Sequence, residues 1–533
     1  MISDINIRID RNKCTACGTC VDRCIMDNLR LSVAPCRQAC PLHMNCQSYI
    51  RLLAQDREEE AIEHVMPYLP FLGILGRVCS HPCEAVCERR PIDGAVHIRA
   101  IKRYLADVCQ RKGLEPGPAA ADTGRSAAVI GSGPAGLMAA YRLRLNGHRV
   151  VVYEAASQPG GLMRSVIPPY RLPNVVLDQA IAMLTDMGIE MRTATPVKTD
   201  DELEKLKSTF DAVVLALGAG CPMQPPIEGT ANPGVIQALD LLCDVKAGEP
   251  LDLGRSVLIV GGGDTAIDAA LTCRRMGIET VSMVCLERPA EMPGLQRSLT
   301  EAREEGISIE NCWGVGGISE LGEGGLEVAL SRCLSVFDDQ GGFAPQLEPV
   351  CRESLFADTV VLATGQQLDA AKCPRNVMRG KNGYLVADPL TRQVPGAAKL
   401  FVCGDAASGP TSIVHAMADG WEAALSADRL LQNDSLTWDR DFWNSGNVPE
   451  YEAQPERAVG GKRGSLPNLP PEKRNLNSEQ EQALSSGQVR KEAERCLSCG
   501  RSFEMNQTCW FCLPCEIECP TQALEVRMPY LVR

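Results

Sequence analysis

The sequence predicts an α/β protein in which one Rossmann-type dinucleotide-binding domain is nested inside another, with cysteine-rich segments at both ends. Three observations carry this. Two glycine-rich turns, Gly131-Ser-Gly133-Pro134-Ala135-Gly136 and Gly261-Gly262-Gly263-Asp264-Thr265, each follow an apolar strand and open a helix. Strands ending at Leu217-Gly218 and Ala363-Thr364-Gly365 bracket the second turn, as an inserted domain requires. Of 26 cysteines in 533 residues, ten lie between Cys14 and Cys87 and six between Cys496 and Cys519.

Length allows three or four domains. Apolar residues at 45% and charged residues at 23% are ordinary for an enzyme, so cysteine is the informative residue. A net charge of -13 offers no field for phosphate backbones or acidic lipid, which argues against nucleic acid and membrane partners. Met1 to Cys20 has no apolar signal core and no stretch is long enough for membrane insertion, so a reducing cytoplasmic setting is expected, where clustered thiols bind metal.

In chain order, Cys14-x2-Cys17-x2-Cys20-x3-Cys24 follows a short alternating strand, Ile5 to Ile9. Three thiolates at this spacing can wrap one face of a cubane while the fourth reaches the same or a neighbouring cluster, so residues 1–33 form a ferredoxin-like 4Fe-4S segment. Ile25 stands where a proline usually follows. The carboxy-terminal run Cys509-x2-Cys512-x2-Cys515-x3-Cys519-Pro520 has that proline, and with Cys496-x2-Cys499 it defines a second ferredoxin-like domain, 491–533. A zinc site is the competing reading of either run. Scattered cysteines such as Cys243, Cys273 and Cys333 read as small buried hydrophobes.

A looser set, Cys36-x3-Cys40, Cys46 and Cys79-x3-Cys83-x3-Cys87, flanks a helical stretch from Gln47 to Leu69. Pro35-Cys36-Arg-Gln-Ala-Cys40-Pro41, Gly76 to Cys87 and Ala95 to Lys102 resemble the helical iron-sulfur domain of the glutamate synthase small subunit, shared by the amino-terminal part of dihydropyrimidine dehydrogenase and the large subunit of the bifurcating ferredoxin:NADP transhydrogenase. The resemblance implies two 4Fe-4S clusters in residues 34–112. It also exposes two departures: the CxxC pair that precedes the cysteine matched by Cys36 is missing, and Lys102 stands where some members use a glutamine or glutamate ligand. Cys40, Cys79, Cys83 and Cys87 or Cys36 supply one cluster, and a second must borrow Cys46 or thiols of the first run. Two to four clusters are therefore expected from sixteen cysteines.

A linker, 113–125, leads to the first dinucleotide unit. Its strand, glycine turn, helix and second strand Arg149 to Tyr153 end in Glu154, which can accept from ribose hydroxyls. Gly161-Leu162, Arg171 and Gly404-Asp405 match family elements around a flavin, so the resemblance, which covers residues 34 to 435, implies a glutathione reductase-like FAD domain at 126–250 and 355–435. Its FAD residues would be Gly131, Gly133, Pro134, Ala135, Gly136, Glu154, Gly161, Leu162, Arg171, Gly404 and Asp405. The second unit, 251–354, is the nicotinamide site, with Gly261, Gly262, Gly263, Asp264, Thr265, Glu287 and Arg288. NADP-using relatives carry Tyr-Arg-Arg at Cys285-Leu286-Glu287; here Glu287 would repel a 2'-phosphate and accept from a free 2'-hydroxyl, so NADH is expected over NADPH.

Residues 436–490 turn Pro-, Gly- and Asn-rich and read as a tether leading to a helix from Ser478 to Arg495. No Ser-His-Asp set, HExxH or carboxylate pair calls for acid-base chemistry, so no catalytic side chain is expected and a flavin would do the chemistry. The expected function is an NAD(P)H:acceptor oxidoreductase subunit. It would exchange hydride with FAD and pass single electrons through clusters to or from ferredoxin or other subunits of a redox complex. Its rivals are the glutamate synthase small subunit proper and a noncatalytic electron-relay scaffold.

Overall fold

The structure, a computed structural model, describes residues 7–10, 13–26, 29–322, 324–350, 353–438, 440, 461–504 and 509–527. The beginning of the expected Ile5–Ile9 strand and, of the expected tether, residues 439 and 441–460 lie outside the described residues. Among the described residues no helix is long and apolar enough to cross a membrane.

Apolar runs without alternation, such as Ala212–Leu215 and Arg149–Tyr153, suit strands covered on both faces. They build a parallel five-stranded sheet in the order Leu400–Val402, Ala212–Leu215, Ser126–Ile130, Arg149–Tyr153, Glu190–Arg192. Helix Pro134–Leu145 packs on it beside helix Ile413–Gln432, and the close crossing depends on Gly420, where a Cβ would stand 2.1 Å from the Ala135 carbonyl. A second parallel sheet runs Ser308–Asn311, Thr280–Cys285, Ser256–Val260, Thr359–Leu362, Val235–Gln237. Strands 235–237 and 359–362 thus hydrogen-bond into the second sheet, although the sequence boundaries put both in the first domain. Thr359–Leu362 is buried and Val235–Gln237 half-buried, and their apolar content does not say beside which strand they lie. An antiparallel layer, Trp313–Glu320 with Leu326–Phe337 at its centre, shares a core with this sheet through Leu258, Val284, Val328 and Leu330.

The helical stretch expected over 47–69 divides into Cys46–Leu53 and Glu58–Val65, because Asp56 takes a left-handed φ of 58° and ends the first turn sequence. These helices and Ile98–Lys112 share one core with the first sheet, and the Tyr141 hydroxyl donates to the Met66 carbonyl at 2.9 Å.

The two chain ends meet. Ile7–Ile9 pairs antiparallel with Leu524–Val526, and Leu29–Ser32 pairs antiparallel with Arg501–Glu504. The expected terminal segments therefore form one unit, with Ile7, Cys20, Leu29, Cys515 and Leu524 in its core.

The described part of the expected tether is anchored. Residues 467–482 turn back on themselves, Leu469 N–H donating to the Gln480 carbonyl and Gln482 N–H to the Pro467 carbonyl. Glu479 pairs with Arg77 and Arg103, and Glu481 with Arg99 and Arg297. The helix expected from Ser478 starts only at Ser486 and ends at Glu494, because Ser485 and Gln488 form a capping box at that point.

Candidate functional site

The first glycine turn is shaped for a ligand. Gly131 has φ +104°, and a Cβ there would meet the Ala216 carbonyl oxygen at 2.2 Å, whereas Gly133 has open space around it. Glu154, at the end of its strand, folds back on the turn and accepts from Ser132 N–H at 3.0 Å and from the Ser132 hydroxyl. Ser132 also accepts from Gly160 N–H at 2.9 Å, which ties Gly160-Gly161 to the turn. Gly131, Gly133, Pro134, Glu154, Gly161, Leu162, Arg171 and Asp405 all line one cavity of about 560 Å³, within the range of a cofactor site. Ala135 and Gly136 lie just behind, in the first turn of the buried helix. Gly404 N–H donates to Asp419 at 2.6 Å, and burial raises the Asp405 carboxyl while the Thr411 hydroxyl counters it.

The same cavity is lined by Asp264 and Thr265, at the start of the second glycine-turn helix, and by Val78 and Ser80 on either side of Cys79. Arg171 pairs with Asp268 and, at 3.2 Å, with Glu301, yet its buried Nη2 has no hydrogen-bond partner among the described residues. A donor left over in a cavity wall, with a glycine turn opposite, fits an anionic cofactor such as FAD. At the second turn, a Cβ on Gly262 would lie 2.8 Å from Glu287 Oε2, so the carboxylate stands over the turn, whereas Arg288 is exposed.

The cysteines of the two chain ends gather in three places. Cys40, Cys46, Cys79 and Cys83 surround Lys102, which is 4% exposed; burial works against its ammonium, but these thiols outweigh it and hold the group charged. Cys36, Cys87, Cys496 and Cys499 line a second small cavity. Cys46 stands in hydrogen-bond reach of both Cys36 and Cys83, joining the two groups. Cys496 and Cys499, expected with the carboxy-terminal run, lie instead against the helical domain, because Arg495 is bound there by Asp93 at 2.8 Å and its carbonyl accepts from Arg89 at 2.6 Å. In the terminal unit Cys515 is pushed up to about 11 by burial and by Cys24, Cys509 and Cys512. Cys20, Cys24, Cys509, Cys515 and Cys519 pack together in that unit's core.

Among the described residues no three His, Cys, Asp or Glu side chains converge as ligands of a single metal ion would. The loops nonetheless carry the marks of cluster cradles. Ala16, His81, Ser498, Phe511 and Leu513 sit between cysteines at φ between 45° and 72°, a conformation costly for residues with a Cβ that persists only where the surroundings impose it. Ala16, His81 and Ala523 N–H groups donate to Cys14, Cys79 and Cys519 sulfurs at 3.4, 3.3 and 3.2 Å. Burial drops the His81 imidazole to about 4, so it is neutral beside them. These donors lower the charge cost of thiolates bearing a 4Fe-4S cluster.

Sequence reasoning missed Ser132, Asp419, Arg495 and the Val78–Ser80 lining. Of these, the acid at position 419, among the small and apolar residues of a long helix, left a signal that could have been read.

A family model described as pyridine nucleotide-disulphide oxidoreductase matches residues 125–420, and one described as dihydropyrimidine dehydrogenase domain II, 4Fe-4S cluster, matches residues 8–114. The chain is 31% identical to the NADP(+)-dependent formate dehydrogenase subunit beta of Moorella thermoacetica, over 88% of this chain and 71% of that one. It is 30% identical to the NADPH-Fe(3+) oxidoreductase subunit beta of Geobacter sulfurreducens, over 88% and 75%. It is also 30% identical to the NAD-dependent dihydropyrimidine dehydrogenase subunit PreT homolog of Salmonella typhi, over 75% and 91%. Among solved structures, FprA from Mycobacterium tuberculosis superposes with a TM-score of 0.52 at 19% identity, covering 58% of this chain and 85% of that one.

Proposed function

The chain belongs to the pyridine nucleotide-disulphide oxidoreductase family, and from that premise we propose that it exchanges electrons between NADH and a partner subunit by way of FAD and four iron-sulfur clusters. It is an FAD-dependent oxidoreductase of the iron-sulfur type. One observation carries the proposal: a single cavity is shared by the first glycine turn, the helix start of the second, and the Val78–Ser80 segment that bears Cys79.

Bound there, FAD supplies the conversion between two-electron hydride chemistry and one-electron cluster chemistry. Glu154 and the Gly131–Gly136 turn would hold its ribose and pyrophosphate, with the helix Pro134–Leu145 directing backbone N–H groups at the phosphates. Asp264 and Thr265 would bring the nicotinamide dinucleotide to the opposite side of the same cavity. Arg171, fixed by Asp268 and Glu301, would position it from between the two nucleotide domains.

NADH is preferred in this reading because Glu287 stands at the second turn, where a 2'-phosphate would meet a carboxylate. Relatives named for both NAD and NADP occur, so the carboxylate and not kinship carries the preference. Names such as "subunit beta" support a partner subunit, and the clustering of sixteen cysteines at the two ends supports a reducing cytoplasm.

The test is anaerobic titration of the as-purified chain with NADH and NADPH, following flavin absorbance and cluster EPR together. Bleaching with appearance of reduced-cluster signals, at lower NADH than NADPH, is the expected result. Absence of bleaching by either nucleotide would refute the oxidoreductase reading, and a lower requirement for NADPH would refute the role of Glu287.

A further inference from the structure

We propose that Cys36 and Cys87 of the helical domain and Cys496 and Cys499 from the far end of the chain together hold one 4Fe-4S cluster, a site that closes only when the two chain ends are joined. It deepens the proposed function, since it assigns one of the four clusters of that reading.

The geometry is direct. The four cysteines line one small cavity whose remaining walls include Ile50, Val96 and Ile98. Four thiols in a mainly apolar wall, with Gln47, Glu88 and Arg89 its polar members, suit a cubane ligated only by cysteine. Cys496 and Cys499 are not brought there by chance packing of a loose end. Helix Ser486–Glu494 buries Val489 and Ala493, and Glu492 accepts from His97 N–H at 2.9 Å. Arg495, 2% exposed, bonds Glu492 at 2.5 Å and Asp93 at 2.8 Å, and its carbonyl accepts from Arg89, 406 residues away. Those contacts fix the residue immediately before Cys496. Ser498 then takes φ 52°, the same left-handed turn that Ala16 and Phe511 make inside the other CxxC loops.

The ligand count agrees. Cys40, Cys46, Cys79 and Cys83, buried in one core, account for the neighbouring site beside Lys102, and the two terminal runs, which pack in one core of their own, account for each other. Cys36, Cys87, Cys496 and Cys499 are the remaining four of the sixteen. The carboxy-terminal pair thus takes the place of the CxxC that the helical domain lacks before Cys36. The family model for that domain ends at residue 114, so the assignment rests on the fold of this chain alone.

The experiment uses the full chain, purified anaerobically and reconstituted with ferrous iron and sulfide. Cys496→Ser/Cys499→Ser should lower iron and acid-labile sulfide by about four atoms each per FAD, one cubane. Cys36→Ser/Cys87→Ser should lose the same amount and the same EPR signal, and the quadruple variant should lose no more than either pair. FAD content reports whether each variant folds, and Cys509→Ser/Cys512→Ser, in the other unit, should add a second, independent loss. Loss of about eight irons in the quadruple variant would overturn the proposal by showing two separate sites. Unchanged iron in Cys496→Ser/Cys499→Ser, or zinc recovered in place of iron, would overturn it as well. The count does not depend on nicotinamide turnover, so failure of flavin reduction by NADH would leave this result standing.

Discussion

Glu287 is a single carboxylate with a measurable consequence. Its Oε2 stands where a Cβ on Gly262 would intrude, so it is placed to meet a ribose bound at the turn in the proposed reading. Glu287→Ala should raise KM for NADH about tenfold, the loss of about 1.4 kcal/mol of uniform binding, leave kcat nearly unchanged and lower KM for NADPH; steady-state kinetics with both nucleotides checks this. Lys102 offers a second residue-scale test. Its buried ammonium lies among Cys40, Cys46, Cys79 and Cys83, so Lys102→Met should make that centre harder to reduce, read as a more negative midpoint in an EPR-monitored titration. Asp428 gives a pH dependence. Burial raises its carboxyl, but hydrogen bonds from His148 at 2.8 Å and Gln432 at 2.8 Å outweigh burial and hold it below its ordinary value. The stability it contributes is therefore present above about pH 4, its unfolded value, and is lost as pH falls through the lower folded value. Asp428→Asn should cost about 1–3 kcal/mol at pH 7 and progressively less below pH 4, followed by flavin fluorescence during unfolding. The sequence marked Glu287 as an acid at a strand end, and Lys102 as a departure from a family pattern. It did not mark Asp428, whose partner His148 is 280 residues distant.

The turn at 467–482 is the element that most changes how the molecule is held. Composition alone made it a tether, because Pro, Asn and charge are what loops and solvent-exposed linkers share. The fold instead sets Glu479 and Glu481 against Arg77, Arg99, Arg103 and Arg297, clamping helical domain and nicotinamide domain with one strap. Burial pushes Glu481 up, and Arg99 with Arg297 outweighs it, so the carboxylate stays charged. Breaking this buried network exposes unpaired guanidinium groups: Glu481→Ala should destabilise by about 3 kcal/mol and lower the thermal midpoint by several degrees in calorimetry. Ser485→Ala, which removes only the capping box of the following helix, should cost about 1 kcal/mol. Strand membership shows the same limit of sequence reading. Thr359–Leu362 has the apolar run of a central strand, but its partners, Ser256–Val260 and Val235–Gln237, are chosen by topology.

At the scale of the whole molecule, the cysteine groups of the two ends adjoin one another and the nucleotide cavity. Val78 and Ser80 line the flavin cavity beside Cys79, and Cys46 links that group to Cys36. Asn45 donates to the Thr15 and Ala16 carbonyls at 3.1 and 2.9 Å, seating the first terminal loop next to these centres. In the terminal unit, Trp510 and Ile517, close in sequence to Cys509, Cys512 and Cys515, are 70% and 76% exposed. Apolar side chains this exposed around the outermost thiols suit contact with another protein. Trp510→Ala should therefore slow reduction of the partner while leaving NADH bleaching of the flavin at its normal rate, a split that stopped-flow measurement resolves. The sequence by itself determined the two nucleotide turns, the chemistry of the sixteen cysteines and the acid at position 287, because each depends on residue types at short, fixed spacing. Only the tertiary structure decided which cysteines lie together, which strands share a sheet and that the chain ends form one unit. Those pairings join residues hundreds of positions apart, and local spacing carries no information about contacts made by packing at that distance.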